Sequence, residues 1–193
     1  MNVFGDLKLN EPVSIELDFD SPFELFKNIY RNYDSAFLLE SMESDSGLAR
    51  FSVLGFKPVA TLRAQGNILK IEKNGVQEEI ETENPFEELK KLTSKSNGKK
   101  GFRGGLVGYM SYESVRHFEN IKVQDSEYPD FEFGLFLDAI TFDRLQNKCE
   151  YVTLGENRID EINQVAKESY DIGNIDFKFK KHYSSLLPSG QEA

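Results

Sequence analysis

Residues 60–81 leave this chain few ways to fold. Gln65-Gly66-Asn67 and Lys73-Asn74-Gly75 are tight-turn signals, and they bracket the short apolar-polar runs Ile68–Glu72 and Val76–Ile80. Turns of two residues join only antiparallel neighbours, whereas a parallel pair needs a crossover of about a dozen residues or more. The region therefore predicts a meander of antiparallel strands.

The rest of the chain extends that pattern. Val13, Ile15, Leu17 and Phe19 alternate with Ser14, Glu16 and Asp18, the period of a half-buried strand. Ser21-Pro22-Phe23-Glu24 combines a serine cap, a proline at the first helical position and a glutamate three residues on, which predicts a helix from Pro22 to about Tyr33. Its apolar face is expected to carry Phe23, Phe26, Ile29, Tyr30 and Tyr33. Ala36–Glu40 reads as a buried strand and Ser41–Gly47 as a polar loop. Phe51–Leu54 and Ala60–Arg63 read as strands interrupted at Pro58. Asn84-Pro85-Phe86-Glu87 starts a second helix to about Leu92. Thr93–Lys100 is linker-like, and the lysines from Lys90 to Arg103 read as solvated charge. Glu113–Glu119 reads as a short helix. Phe133–Phe142 and Cys149–Leu154 form a hairpin, and Asn157 caps a last helix that runs to Gly173. The sum is α+β: mostly antiparallel sheets with a few packed helices, and not an alternating βαβ order.

Composition narrows the function classes. Of 193 residues 39% are hydrophobic, enough for a core, and 23 basic against 33 acidic residues give a net charge of −10. That balance argues against nucleic acid and against an anionic membrane surface as partners. No apolar run reaches the roughly 18–20 residues of a membrane span, and the N-terminus lacks the layout of a secretory signal. The lone Cys149 excludes an internal disulfide and fits a reducing, cytoplasmic setting. With only His117 and His182 beside it, no Cys/His zinc cluster assembles.

Three segments could carry chemistry. Gly101 to Tyr112 is rich in glycine but lacks the Lys-Ser/Thr of a phosphate loop, so its glycines are read as strand bends and close backbone approaches. Tyr109, Tyr112, His117 and Phe118 read as packing residues, and His117 has no evident carboxylate partner by spacing. Leu38-Leu39-Glu40-Ser41 ends a strand in a carboxylate and a hydroxyl, and Arg50 opens the next strand. A carboxylate for an ammonium and a guanidinium for a carboxylate are what a small zwitterion requires. The competing reading makes Arg50 a surface partner of Glu43 or Asp45.

Taken together, Leu38-Leu39-Glu40-Ser41, Ala49-Arg50-Phe51-Ser52-Val53-Leu54-Gly55 and Gly104-Gly105-Leu106-Val107-Gly108-Tyr109 through Glu119 resemble the N-terminal region of anthranilate synthase component I. Tyr128-Pro129-Asp130 and Thr141-Phe142-Asp143 follow in the same order. The resemblance implies the conversion of chorismate to anthranilate and pyruvate in tryptophan biosynthesis, a lyase reaction. Glutamine amidotransferase component II would supply the ammonia, magnesium would serve the full-length enzyme, and tryptophan would inhibit by feedback. It places L-tryptophan at Leu39, Glu40, Ser41 and Arg50. It divides the chain into a regulatory domain over 1–173 and a connector over 174–193, with Ser189 capping a helix that leads into a C-terminal chorismate-binding half absent here. On that basis no catalytic residue and no magnesium ligand is assigned to this chain, which is expected to be inactive alone. Component I of aminodeoxychorismate synthase and a stand-alone small-molecule binding module are the alternatives.

Overall fold

The computed structural model describes residues 10–40, 50–92, 104–124 and 126–168. In chain order they form β1 (Val13–Leu17), α1 (Pro22–Asn32), β2 (Ala36–Glu40), β3 (Phe51–Phe56), β4 (Ala60–Gln65), β5 (Ile68–Lys73), β6 (Val76–Glu81) and α2 (Pro85–Leu92). Then come β7 (Gly105–Met110), a 3₁₀ turn (Tyr112–His117), β8 (Phe131–Phe136), β9 (Asp138–Asp143), β10 (Lys148–Thr153) and α3 (Ile159–Ala166). The predicted linker at 93–100, the loop at 41–47, Tyr170, Gly173 and the segment 174–193 lie outside the described residues.

The fold is α+β, with two antiparallel sheets. One sheet has the order β1-β10-β9-β3-β2 and the other β6-β5-β4-β8-β7. The meander read from the turn signals is present, with Gln65 opposite Ile68 and Lys73 opposite Val76. Asn74 and Gly75 both take positive φ, 53° and 74°, as a tight hairpin turn between right-twisted strands requires.

Each sheet buries one face under helices. Leu25 and Ile29 of α1 and Ile162 and Val165 of α3 pack on Leu54, Phe56, Ile140, Phe142, Cys149 and Tyr151 of the first sheet. Phe86 and Leu89 of α2 pack on Leu62, Ala64, Leu69, Ile71 and Phe131 of the second. Full burial of such side chains stabilises by about 1.5–3 kcal/mol each. Ser21 Oγ accepts the Glu24 N–H at 3.3 Å, and Asn84 Oδ1 accepts the Phe86 N–H at 2.9 Å, so both predicted caps form. The face of α1 differs from expectation: Leu25 and Ile29 point inward, while Phe23 and Tyr30 are exposed. Only one stripe of the helix meets the sheet, and these two rings fall outside it.

Two strands expected as one are split. Phe131–Phe136 pairs with β4 and β7, Asp138–Asp143 pairs with β3 and β10, and the chain changes sheets at Leu137. The run 133–142 is apolar on both sides of the corner because both sheets bury it, and Asp138 alone interrupts it there. The other crossing, from β3 to β4, turns at Lys57 with φ 51° ahead of Pro58. Val59 N–H donates to Leu135 O at 2.8 Å and Leu154 N–H to Leu137 O at 2.9 Å, which extends the β4–β8 and β9–β10 ladders to the corner. Across the sheets, the Phe37 and Phe136 rings meet edge to face at 4.8 Å. Ala36–Glu40 is an edge strand, half-buried at first and exposed at Leu39 and Glu40, because β3 is its one described sheet neighbour.

Candidate functional site

The strand end that carries Glu40 is the place where charged groups converge. Register decides which of them share a face, since paired residues point the same way and successive residues alternate. Glu40 pairs with Ser52, and Ser52 with Phe142, so all three lie on the helix-covered face. Arg144 follows β9 by one residue. Its Nη2 pairs with Glu40 Oε1 and lies 3.4 Å from Ser52 Oγ, and Ser52 Oγ lies 3.5 Å from Glu40 Oε1. Ser52 is fully buried, whereas the Arg144 side chain is 42% exposed. This inner group comprises a carboxylate, a hydroxyl and a guanidinium at the rim of the core.

The outer face carries a second group. Phe51 pairs with Asp143, and Leu39 pairs with Val53 on the same face. Arg50 grips both carboxylate oxygens of Asp143, with Nε 2.9 Å from each, and lies 4.8 Å above the Phe51 ring. Asp143 also accepts the Leu145 and Gln146 N–H groups at 3.0 and 3.2 Å. The Arg50 hydrogen bond and these backbone donors hold the Asp143 carboxyl below the usual aspartate value, and the same carboxylate raises Arg50 above the usual arginine value.

Of the sequence-derived residues, Leu39, Glu40 and Arg50 stand near one strand end. Glu40 sits on the inner face and Leu39 on the outer, and the Arg50 guanidinium turns to Asp143 and the Phe51 ring. Ser41, Glu43 and Asp45 lie outside the described residues. Ser52, Asp143 and Arg144 were missed as site members. Asp143 and Arg144 are about a hundred residues from Glu40 in sequence, and only the β3–β9 pairing brings them close.

A second centre was also missed. His117 Nε2 lies 2.7 Å from Asp130 Oδ2, and both side chains are almost fully buried, at 4% and 2% exposure. Asp130 also accepts the Gly66 N–H at 3.0 Å, and Asn84 Nδ2 donates to His117 O at 3.1 Å. The pair ties the 3₁₀ turn to β8 and to the β4–β5 turn. Around it, Tyr109, Tyr112 and Phe118 are exposed where packing was expected, because the chain leaves the sheet at Met110. The glycine-rich strand behaves as read: a Cβ on Gly108 would lie 1.9 Å from Glu132 O of the neighbouring backbone. Cys149 is buried, and burial pushes its thiol up to about 12, which leaves it unreactive.

A cleft of about 430 Å3 opens elsewhere, at the start of α1, lined by Asp18, Asp20, Glu24, Lys27 and Glu168 among others. It shares no residue with the strand end. No group of three or more His, Cys, Asp or Glu among the described residues could hold a metal ion. No helix among them is long and apolar enough to cross a membrane.

Comparison with known proteins shows the family of the chain. A family model described as chorismate binding enzyme matches residues 34–189. The chain belongs to the chorismate binding enzyme family. Within that family it is 49% identical over 178 residues to anthranilate synthase component 1 of Methanothermobacter thermautotrophicus, covering 92% of this chain and 38% of that protein. It is 43% identical over 198 residues to anthranilate synthase component 1 of Methanothermobacter marburgensis, covering 100% of this chain and 43% of that protein. The chain spans about two fifths of the length of these curated relatives. A crystal structure of anthranilate synthase component I from Streptococcus pneumoniae aligns with a TM-score of 0.45 at 22% identity, covering 70% of this chain and 32% of that one. The chorismate binding enzymes thus include proteins like this chain along nearly its whole length.

Proposed function

We propose that this chain is the N-terminal, tryptophan-binding portion of an anthranilate synthase component I. The whole enzyme would convert chorismate to anthranilate and pyruvate, a lyase reaction, with ammonia delivered by a glutamine amidotransferase subunit and with magnesium. The observation that carries the reading is the strand end at Glu40. There a carboxylate, a hydroxyl and guanidinium groups gather beside the exposed Leu39 and Phe51, in a chain whose relatives bear the anthranilate synthase name. A carboxylate suits the ligand ammonium, a guanidinium its carboxylate, and apolar side chains an indole.

The same reading assigns no chorismate acid or base and no magnesium ligand to these residues. Chorismate chemistry, the connector role of 174–193, the amidotransferase contact and a cytoplasmic setting belong to the proposal as a whole.

The test is a calorimetric titration of the folded chain with L-tryptophan, and with L-phenylalanine for comparison. Saturable heat with tryptophan alone is expected, and no heat from a folded sample overturns the reading. In an assay reconstituted with a C-terminal complement, Ser41→Arg should abolish tryptophan inhibition by filling the pocket. Anthranilate fluorescence in that assay also separates this enzyme from an aminodeoxychorismate synthase, whose product retains the enolpyruvyl group.

A further inference from the structure

We propose that the outer edge of β7 is a pairing surface for a second copy of this chain, whose own β7 adds antiparallel to it and joins the two β7-bearing sheets into one. The inference is independent of the amino-acid reading above.

An edge strand presents a row of unpaired backbone N–H and C=O groups, and what fits such a row is another extended backbone. Edges that must stay single are guarded, most often by charge or proline. The two sheets end in four strands, β1 and β2 in one and β6 and β7 in the other. Three of these carry carboxylates: Glu16 in β1, Glu40 at the end of β2, and Glu78, Glu79 and Glu81 in β6. The fourth reads Gly105-Leu106-Val107-Gly108-Tyr109-Met110, with neither charge nor proline. All six of its residues pair with β8, and among the described residues no strand pairs with its other side. The strand also ends in exposed apolar surface, at Tyr109 and Met110, with Tyr112 and Phe118 following.

Charge identifies the occupant. The chain carries a net charge of −10, so two copies repel and meet most readily where no carboxylates face one another. Pairing β7 with any other edge of a second copy brings in Glu16, Glu40 or the glutamates of β6. Pairing β7 with β7 brings in none. Antiparallel pairing centred between Val107 and Gly108 is two-fold symmetric. It sets Leu106 opposite Tyr109 of the second copy, an aliphatic–aromatic cross-strand pair, and makes that contact twice. Both edges are then used up, so the assembly closes as a dimer and does not extend.

Sedimentation velocity of the whole chain over a concentration series, with hydrogen exchange at low and high concentration, tests the proposal. A reversible monomer–dimer equilibrium is expected, strengthened by salt because screening relieves repulsion between acidic copies. Exchange at 105–110 should slow as the dimer forms. Val107→Lys should weaken dimerisation by at least about tenfold, because two ammonium groups meet at the centre of the pairing. Val107→Glu should do the same, and an equal mixture of the two variants should recover the dimer, which misfolded chains cannot do. Gly105→Lys is a second edge variant, at a position where a Cβ meets nothing within 4 Å. Glu81→Lys, on the opposite edge, lowers the net charge further than either and should not weaken the dimer. A parent that stays monomeric up to about 1 mM overturns the proposal. So do slowed exchange confined to another edge, unchanged dimerisation of both lysine variants, and species that keep growing with concentration.

Discussion

Strand β9 begins and ends with an aspartate, and each is gripped by an arginine through two contacts. The two ends nevertheless do different work. At the start, Arg158 Nε donates to Asp138 Oδ2 at 2.9 Å and Nη2 to Oδ1 at 2.5 Å. Tyr151 OH donates to Asp138 Oδ2 at 2.7 Å, and Arg158 also donates to Phe56 O and stacks 4.4 Å from the Phe56 ring. The two ionic side chains are only 14% and 9% exposed. Their surroundings are filled by protein groups, which fits a fastening at the corner between the sheets. At the other end, Arg50 is 35% exposed, and the neighbouring Glu40–Arg144 pair is open to water. The same Arg–Asp pairing is thus enclosed at one end of the strand and open to solvent at the other.

The strongest way to break this comparison is Arg158→Ala. Removing one partner of a buried pair strands the other charge, which costs about 3–5 kcal/mol. Urea unfolding of the variant reads that loss, and a change of under about 1 kcal/mol would erase the distinction between the ends.

A smaller effect comes from pH, because the ends titrate on opposite sides of neutrality. Burial and the Asp138 hydrogen bond raise the Tyr151 phenol above its ordinary value of 10.0. A raised folded-state value stabilises fully below that ordinary value, and the contribution is lost as pH rises through the raised one. Tyr33, pushed up to about 12 by burial and its hydrogen bond to Glu161, acts in the same alkaline window. Asp143 is lowered from 3.8, so its contribution is present above that value and is lost as pH falls through the lowered one. Melting temperatures from pH 2 to 12 should show Asp143→Asn flattening only the acid limb and Tyr151→Phe only the alkaline limb. Both substitutions affecting the same limb would refute the assignment of the two ends.

The smallest effect belongs to Arg50→Gln. An exposed pair contributes little and is screened by salt, so the difference in stability between parent and variant should shrink as salt rises to 1 M. The deficit of Arg158→Ala, whose pair is enclosed, should persist over the same range.

Much of the fold was legible because it is local. The turn at Asn74-Gly75 dictates a hairpin, Ser21 and Asn84 cap the helices they precede, and alternation at Val13–Leu17 marks a half-buried strand. Glu40 and Arg50 stand at one strand end, where residue type had drawn attention to them. Ser52, Arg144 and the His117–Asp130 pair were not legible, because their partners are distant in sequence or emerge from segments with no periodic signal.

Local chemistry thus sets the elements of this molecule, their antiparallel order and the acidic, single-cysteine character of the chain. Long-range pairing sets the rest. The change of sheet at Leu137 follows from β8 and β9 finding different neighbours, and a largely apolar run with one aspartate is compatible with either outcome. The face on which each charge falls follows from strand register, where a slip of one residue would exchange inner for outer. Residue type suggested only that Glu40 and Arg50 suit a small zwitterion. Register is what brings Asp143 and Arg144, distant in sequence, beside Glu40 and Ser52.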